Sequence, residues 1–489
     1  MVDISNASLA EWFSEIEQHR CGYCKNPSGS VSFGMMVESM TVEDYQDLID
    51  RGWRRSGKYC YKPSMDKTCC PQYTIRCDAV NFVLNKSHKK VIKKFNKFLR
   101  DGVLQKKNVL FDNMHDDSCS EYQEHKRQSV NIDLKKVITT SGEDLKNVVL
   151  EGENPEDTSS EKIEGIVASI PERNQKHVRE GVGPDHSKPP CKKAKFLRLE
   201  RKKAKLQQKG EAIQFVNGTN EQKSLNQFLE DIPTDGKLKL KLKLIHCAAE
   251  TEEWNQVEDL EFDLYRKYQM KVHQDPPEKL SMRSFLRFLV HSPLKFRKFP
   301  DGVDGPGYGS FHQQYWLDDR LIAVAVIDVL PKCVSSVYFF YDPDYRDLTL
   351  GTYGSLREVQ FVQSLHSKIA DLRYYYMGFY IHSCPKMRYK GNLRPSYLLC
   401  PESYVFVPIE RCLPKLDASK YSRLNDDAHA RDENACTDTD LDKIKVVYNL
   451  RLMYVSDFVR VFGGDRETFK NLGKLVGRRS AHNILFWIG

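Results

Sequence analysis

The sequence predicts an α+β protein in three segments: a Cys-rich N-terminal domain over residues 1–107, a long, largely disordered segment over 108–236, and a mixed α/β domain over 237–489. Three observations carry this reading. Six of the 14 cysteines fall within the first eighty residues. Residues 112–235 are poor in aromatics and rich in Glu, Lys, Ser, Asn and Gln, so they bury too little apolar surface to offset the entropy of ordering. From Lys237 onward, period-two and helical-period apolar patterns alternate.

A chain of 489 residues has room for two or three hydrophobic cores. The best apolar run, over 321–330, is interrupted by Asp328 and falls far short of the roughly 20 residues a membrane span needs. The first ten residues lack a basic patch followed by an apolar stretch, so no secretory signal is expected and the compartment predicted is the cytosol and nucleus. In that setting cysteines are expected as reduced thiols or metal ligands. A net charge of +8 is too mild to argue for nucleic-acid binding; clustering of the charge matters more.

Within the N-terminal segment, Thr41 can cap a short helix whose apolar side is Tyr45, Leu48 and Ile49, with Gly52 as its stop. A second helix is predicted over 87–100, ending at Gly102. Val91, Ile92, Phe95, Phe98 and Leu99 form its apolar stripe, and Lys89, Lys90, Lys93, Lys94, Lys97 and Arg100 its basic face. In the middle segment a single helix is expected over 191–208, where eight Lys and Arg residues between 192 and 205 form a basic run. In the C-terminal segment, residues 237–244 alternate Lys and Leu, the mark of a half-exposed edge strand. Helices are expected over 253–270, 281–290 and 351–365, and strands over 321–330, 334–341 and 374–381. No internal repeat is present.

The strongest chemical signal is Cys21-x-x-Cys24 with Cys69-Cys70. Four thiolates from two short segments can close a tetrahedral shell around one metal; the alternative is a set of buried reduced thiols. Zinc is the usual occupant of all-Cys shells, but an adjacent pair is awkward for a zinc knuckle, and Cys70-Pro71 matches the Cys-Pro of iron–sulfur sites. Cys77 is an alternate ligand and Cys60 a core residue. Lys90, Lys94 and Lys97, together with Arg54 and Arg55 beside Trp53, are candidate phosphate contacts, the alternative being a solvated helix face.

Four blocks resemble the eukaryotic arginyl-tRNA–protein transferase family. They are Cys21-Gly22-Tyr23-Cys24-Lys25-Asn26, residues 45–59, Cys69-Cys70-Pro71-Gln72-Tyr73-Thr74-Ile75-Arg76-Cys77, and Ser310-Phe311-His312-Gln313-Gln314-Tyr315 continuing through 337–354. The resemblance implies a GNAT-like transferase domain and arginyl-tRNA as donor. It also implies acceptor proteins with N-terminal Asp, Glu or oxidised Cys, an iron–sulfur cluster, and a role in marking proteins for ubiquitin-mediated N-degron degradation. One departure bears on the donor. The stretch from Arg346 to Gly354 has the wrong glycine spacing for the pyrophosphate turn of an acetyl-CoA enzyme, so no CoA is expected.

An arginyl ester is already activated, and the enzyme has only to orient an α-amine, help remove its proton and stabilise an oxyanion. Asp328, alone in an apolar strand, is the candidate group for the α-amine, with His312, Gln314 and Tyr315 as further catalytic candidates and Tyr341 as a substrate contact. An acidic acceptor residue needs a cation, for which Lys386, Arg388 and Lys390 are the candidates. Two other readings remain: a non-catalytic, metal-stabilised RNA-binding protein, and an acetyl-CoA-dependent acetyltransferase. The oligomeric state is not legible.

Overall fold

The computed structural model describes residues 7–104, 138–139, 223–232, 234–246 and 251–488. In chain order these form β1 (Leu9–His19), β2 (Ser30–Ser39), α1 (Val42–Ile49), β3 (Arg54–Ser56), β4 (Tyr59–Pro63), β5 (Tyr73–Asp78), α2 (Lys86–Asp101) and β6 (Ile138–Thr139). There follow β7 (Leu240–His246), α3 (Glu258–Tyr268), β8 (Gly309–Leu317), β9 (Arg320–Val329), β10 (Cys333–Tyr341), α4 (Leu350–His366) and β11 (Tyr374–Tyr380). The last are β12 (Ser396–Leu399), β13 (Phe406–Pro408), β14 (Lys445–Tyr448), β15 (Arg451–Tyr454), α5 (Arg466–Asn483) and β16 (Leu485–Trp487), with further helical segments between.

Local chemistry places the two N-terminal helices where the sequence predicts them. The Thr41 hydroxyl accepts from the Asp44 amide at the start of α1, and Gly52 turns the chain beyond it at φ +87°. The Asn85 side chain accepts from the His88 amide to open α2, and Gly102 ends it at φ +67°. The buried stripe Ile92, Phe95, Phe98 and Leu99 packs inward, with Phe95 stacked on Tyr353 of α4 at 4.1 Å between ring centroids.

The strands assemble into two sheets, β3-β4-β2-β1-β16-β14-β15-β6 and β13-β12-β5-β11-β10-β9-β8-β7. This order changes the domain picture. C-terminal β16 lies parallel to β1, with Leu9 opposite Leu485, and N-terminal β5 is inserted between β12 and β11. Residues 1–107 and 237–489, expected as separate domains, therefore share both sheets, because partners far apart in sequence complete each strand's hydrogen bonds. The edge strand read from the Lys/Leu alternation is present as β7, and β9 is buried from Leu321 to Val329 because both faces are covered.

The expected disorder is also corrected at one end. Leu225–Glu230 forms a short helix opened by a Ser224–Gln227 capping box. It buries Leu225 and Leu229, and Arg357 on α4 donates to the Leu229 carbonyl at 3.3 Å. The helix and basic run expected within 191–208 lie outside the described residues. Among the described residues, no helix is long and apolar enough to cross a membrane.

One irregularity opens a site in the second sheet. Strands β10 and β11 are parallel, joined through α4, and pair only over Cys333–Ser335 against Tyr374–Tyr376. Beyond that point β11 shifts register, with Gly378 at φ +65°, and the two strands part to leave a wedge.

Candidate active site

The wedge opens into a cavity of about 210 Å³. Its walls are Ser335 to Phe339 of β10, Tyr375 and Met377 to Phe379 of β11, Arg54 and Arg55 of β3, and the loop residues Tyr23, Tyr389 and Lys390. From α4 come Gly351, Ser355 and Glu358, at i, i+4 and i+7 on one helix face, the first two small enough to leave space. Cations dominate: Arg20, Arg54, Arg55 and Lys390 line the cavity, against Glu358 as the one carboxylate among the described residues that line it.

Two of those cations converge on the β11 bulge. Arg54 Nη2 donates to the Gly378 carbonyl at 3.3 Å, and Lys390 Nζ to the neighbouring Phe379 carbonyl at 3.0 Å. Arg54 is buried; its other donations go to the Trp53 and Ile49 carbonyls, and its Nε has no partner. Of the three cations expected to read an acidic acceptor, Lys390 lies in the cavity. Arg388 donates to the His382 carbonyl at 2.7 Å, and neither it nor exposed Lys386 lines the cavity.

Arg55, expected as a tRNA contact, is corrected by its surroundings. It is buried, and its guanidinium clasps Asp328 through Nε at 2.8 Å and Nη2 at 2.6 Å, with Ser310 Oγ donating to the same carboxylate at 2.7 Å. Asp328 is thus spent on an internal ion pair at zero exposure, which removes it as a group for the α-amine. His312 and Gln314 share Glu261 of α3, the latter at 2.6 Å, and Tyr315 donates to Gln313 at 2.9 Å. Tyr341 packs on Tyr268 with 5.1 Å between ring centroids. None of these five lines the cavity. The polar groups that stand out in apolar strands are structural hydrogen-bonders, satisfied by partners the sequence does not reveal.

The residue that sequence reasoning missed is Glu358. It is 1% exposed. Burial pushes its carboxyl up to about 7, opposed by the hydroxyls of Tyr375 and Ser336, and its Oε2 has no hydrogen-bond partner. A signal did exist: a carboxylate on the apolar face of α4, three residues beyond Ser355.

Beside the cavity, Cys21, Cys24, Cys69 and Cys70 bring their sulfur atoms within 4.8 Å of one another, with Cys24 and Cys69 at 3.3 Å. A tetrahedral thiolate shell with metal–sulfur bonds of about 2.3 Å has edges of roughly 3.8 Å, so these residues fit a metal. Cys21 and Cys70 pack with Ile381 and Met387, and the same loop carries Gly22 and Tyr23 into the cavity wall. On α2, Lys90, Lys93 and Lys97 are exposed, whereas Lys94 donates to the Asp347 carbonyl.

Comparison with known proteins defines the class first. Residues 19–90 match the model "Arginine-tRNA-protein transferase, N terminus" and residues 260–400 the model "Arginine-tRNA-protein transferase, C terminus", so this is an aminoacyltransferase. The chain is 42% identical over 480 residues to arginyl-tRNA–protein transferase 1 of Drosophila melanogaster, covering 96% of this chain and 97% of the relative. It is 37% identical to arginyl-tRNA–protein transferase 2 of Arabidopsis thaliana over 83% of this chain and 76% of that one. An aspartate/glutamate leucyltransferase of Acinetobacter baumannii is 33% identical over 148 residues, 29% of this chain and 46% of that one. The chain belongs to the arginyl-tRNA–protein transferase family, and its reaction is transfer of arginine from tRNA to protein.

Proposed function

We propose that the wedge cavity is where the arginyl ester meets the α-amine of an acceptor beginning with Asp, Glu or oxidised Cys, and that the product is marked for degradation through the N-degron route. The observation that carries this is the pair of cations, Arg54 and Lys390, held together on the β11 bulge in the cavity wall. A buried guanidinium that donates to carbonyls, as Arg54 does, favours an anion, and the carboxylate of an acidic first residue supplies one. The relative named for aspartate and glutamate acceptors supports the same reading. The wedge between two parallel strands, joined by α4, supports a GNAT-like catalytic unit.

Chemistry in such a site is undemanding. The α-amine, with an ordinary pKa near 8, is partly neutral at physiological pH and needs little help to lose its proton. Its nitrogen attacks the ester carbonyl, and the tetrahedral oxyanion is held by amides where β10 and β11 part. The tRNA ribose oxygen then leaves, taking the proton the amine gives up. The test is transfer of labelled arginine from tRNA to peptides differing only in a first Asp or Asn. Transfer to the Asp peptide is expected to dominate; equal transfer would remove the acidic-acceptor reading.

For the tRNA, Lys90, Lys93 and Lys97 are the proposed phosphate contacts. Reversing all three to Glu is expected to weaken tRNA binding and flatten its salt dependence, by a slope of about 0.9 or less per lost contact. Folding should survive, since the apolar stripe of α2 is untouched. An unchanged slope would assign this face to solvation.

The four-thiolate set is proposed to hold a metal that ties the Cys21–Cys24 turn to the segment at Cys69. The close spacing favours a single tetrahedral zinc or iron ion; the iron–sulfur cluster implied by the resemblance interposes sulfide and needs the sulfurs further apart. Protein purified anaerobically is expected to carry one metal equivalent without acid-labile sulfide, lost in Cys21→Ser. Recovery of sulfide with several irons would establish the cluster and a wider shell.

A further inference from the structure

We infer that Glu358 is the specificity residue for the donor, its carboxylate receiving the guanidinium of the arginine being transferred. The inference rests on the proposed use of the cavity and deepens it, by dividing the cavity by charge. The acceptor is read as an anion by Arg54 and Lys390. The donor side chain is a cation, and a guanidinium brought to the buried α4 wall of the cavity is disfavoured unless an anion pairs with it. Among the described residues lining the cavity, Glu358 is the carboxylate available to meet it.

The geometry agrees. Glu358 sits on the α4 face that carries Gly351 and Ser355, with Tyr375 of β11 and Ser336 of β10, on either side of the wedge, against its carboxyl. The hydroxyls of Tyr375 and Ser336 hydrogen-bond this carboxyl, and its Oε2 remains without a partner, an acceptor open to a donor from the cavity. The titratable groups that feel its charge are Tyr375 and Tyr315, both buried and neutral; burial, not a neighbouring cation, holds its carboxyl near 7. A carboxylate left without a cation inside the fold is costly on its own, and a guanidinium donating to it relieves that cost.

Stability reports the state of the buried carboxyl independently of transfer, and the donor comparison below reports its role. The carboxyl's pKa is raised in the folded protein, so folding is penalised as pH rises from the ordinary carboxylate range through about 7. Glu358→Gln removes the charge and is expected to melt a few degrees higher than wild type at pH 8 and no higher near pH 4.5. The activity test charges one tRNA either with arginine or with citrulline, its neutral isostere. Wild type should strongly prefer arginine. Glu358→Gln should lose roughly ten- to a hundredfold in arginine transfer and keep or raise citrulline transfer, so that the preference collapses.

Equal loss on both donors in Glu358→Gln would place the residue in amine chemistry or structure and overturn the assignment. A variant that melts lower at pH 8 would overturn it too, since the carboxylate would then have an internal role. Glu358→Asp, which keeps the charge on a shorter arm, should retain a preference for arginine; a collapsed preference with normal citrulline transfer still supports a length-dependent contact. Unchanged arginine transfer in Glu358→Gln together with an unchanged Asp-to-Asn ratio in Lys390→Met would instead strike the proposed use of the cavity.

Discussion

Replacing Arg55 by Leu, or Asp328 by Ala, is expected to destabilise the protein by about 3–5 kcal/mol, the cost of leaving one member of a buried ion pair without its partner. The two side chains are at 1% and 0% exposure, and Ser310 completes the carboxylate's hydrogen bonds. The pair joins β3 of one sheet to β9 of the other, 273 residues apart in sequence, so its loss loosens the contact between the sheets. Replacing both, Arg55 by Met and Asp328 by Leu, should recover much of the loss, because no uncompensated charge remains. Urea unfolding of the three variants checks this. Single variants within a few tenths of a kcal/mol of wild type would mean that the charges are solvated. A free Asp328 at the α-amine would slow all acceptors alike through chemistry; with the carboxylate occupied, reduced transfer should instead track the loss of folded protein.

The second large effect concerns the acceptor. Lys390→Met removes one of the two cations at the β11 bulge while leaving a chain of similar length to fill its place. A charge-assisted contact contributes on the order of 1.5–3 kcal/mol, so kcat/KM for an Asp-starting peptide should fall roughly ten- to a hundredfold. The Asn-starting peptide should change little, and the ratio between the two is the quantity to measure. Arg54→Lys, which keeps the charge but loses the fork of donors, should give a smaller fall of the same kind. If neither variant moves the Asp-to-Asn ratio, the acidic residue is read elsewhere.

Arg54 and Arg55 are adjacent, and in sequence both suggest a surface patch for phosphate. Side chains of neighbouring strand residues point to opposite faces, and here one meets Asp328 while the other reaches the Gly378 carbonyl at the cavity. Asp328, His312 and Gln314 are conspicuous because each sits in an apolar strand. That only says each must be paired, and Arg55, Ser310 and Glu261 supply the partners. Glu358 is inconspicuous because an acid in a helix is ordinary, and its isolation depends on what packs over it.

The sequence by itself determined the local elements: α1 and α2 with their caps, β7 from its strict alternation, β9 from its nearly unbroken apolar run. It also determined the Cys21, Cys24, Cys69 and Cys70 set, because thiol chemistry is readable from residue type and the four fall in two short motifs. Tertiary structure alone decided that β5 and β16 cross between the ends of the chain, since strand partners are chosen by long-range hydrogen bonding and burial that no local pattern encodes. It alone decided which polar residues face a cavity and which are satisfied inside the walls. The parting of β10 and β11, where three paired residues give way to a bulge at Gly378, created that cavity, and the availability of a buried charge there is a property of its neighbours rather than of its own residue type.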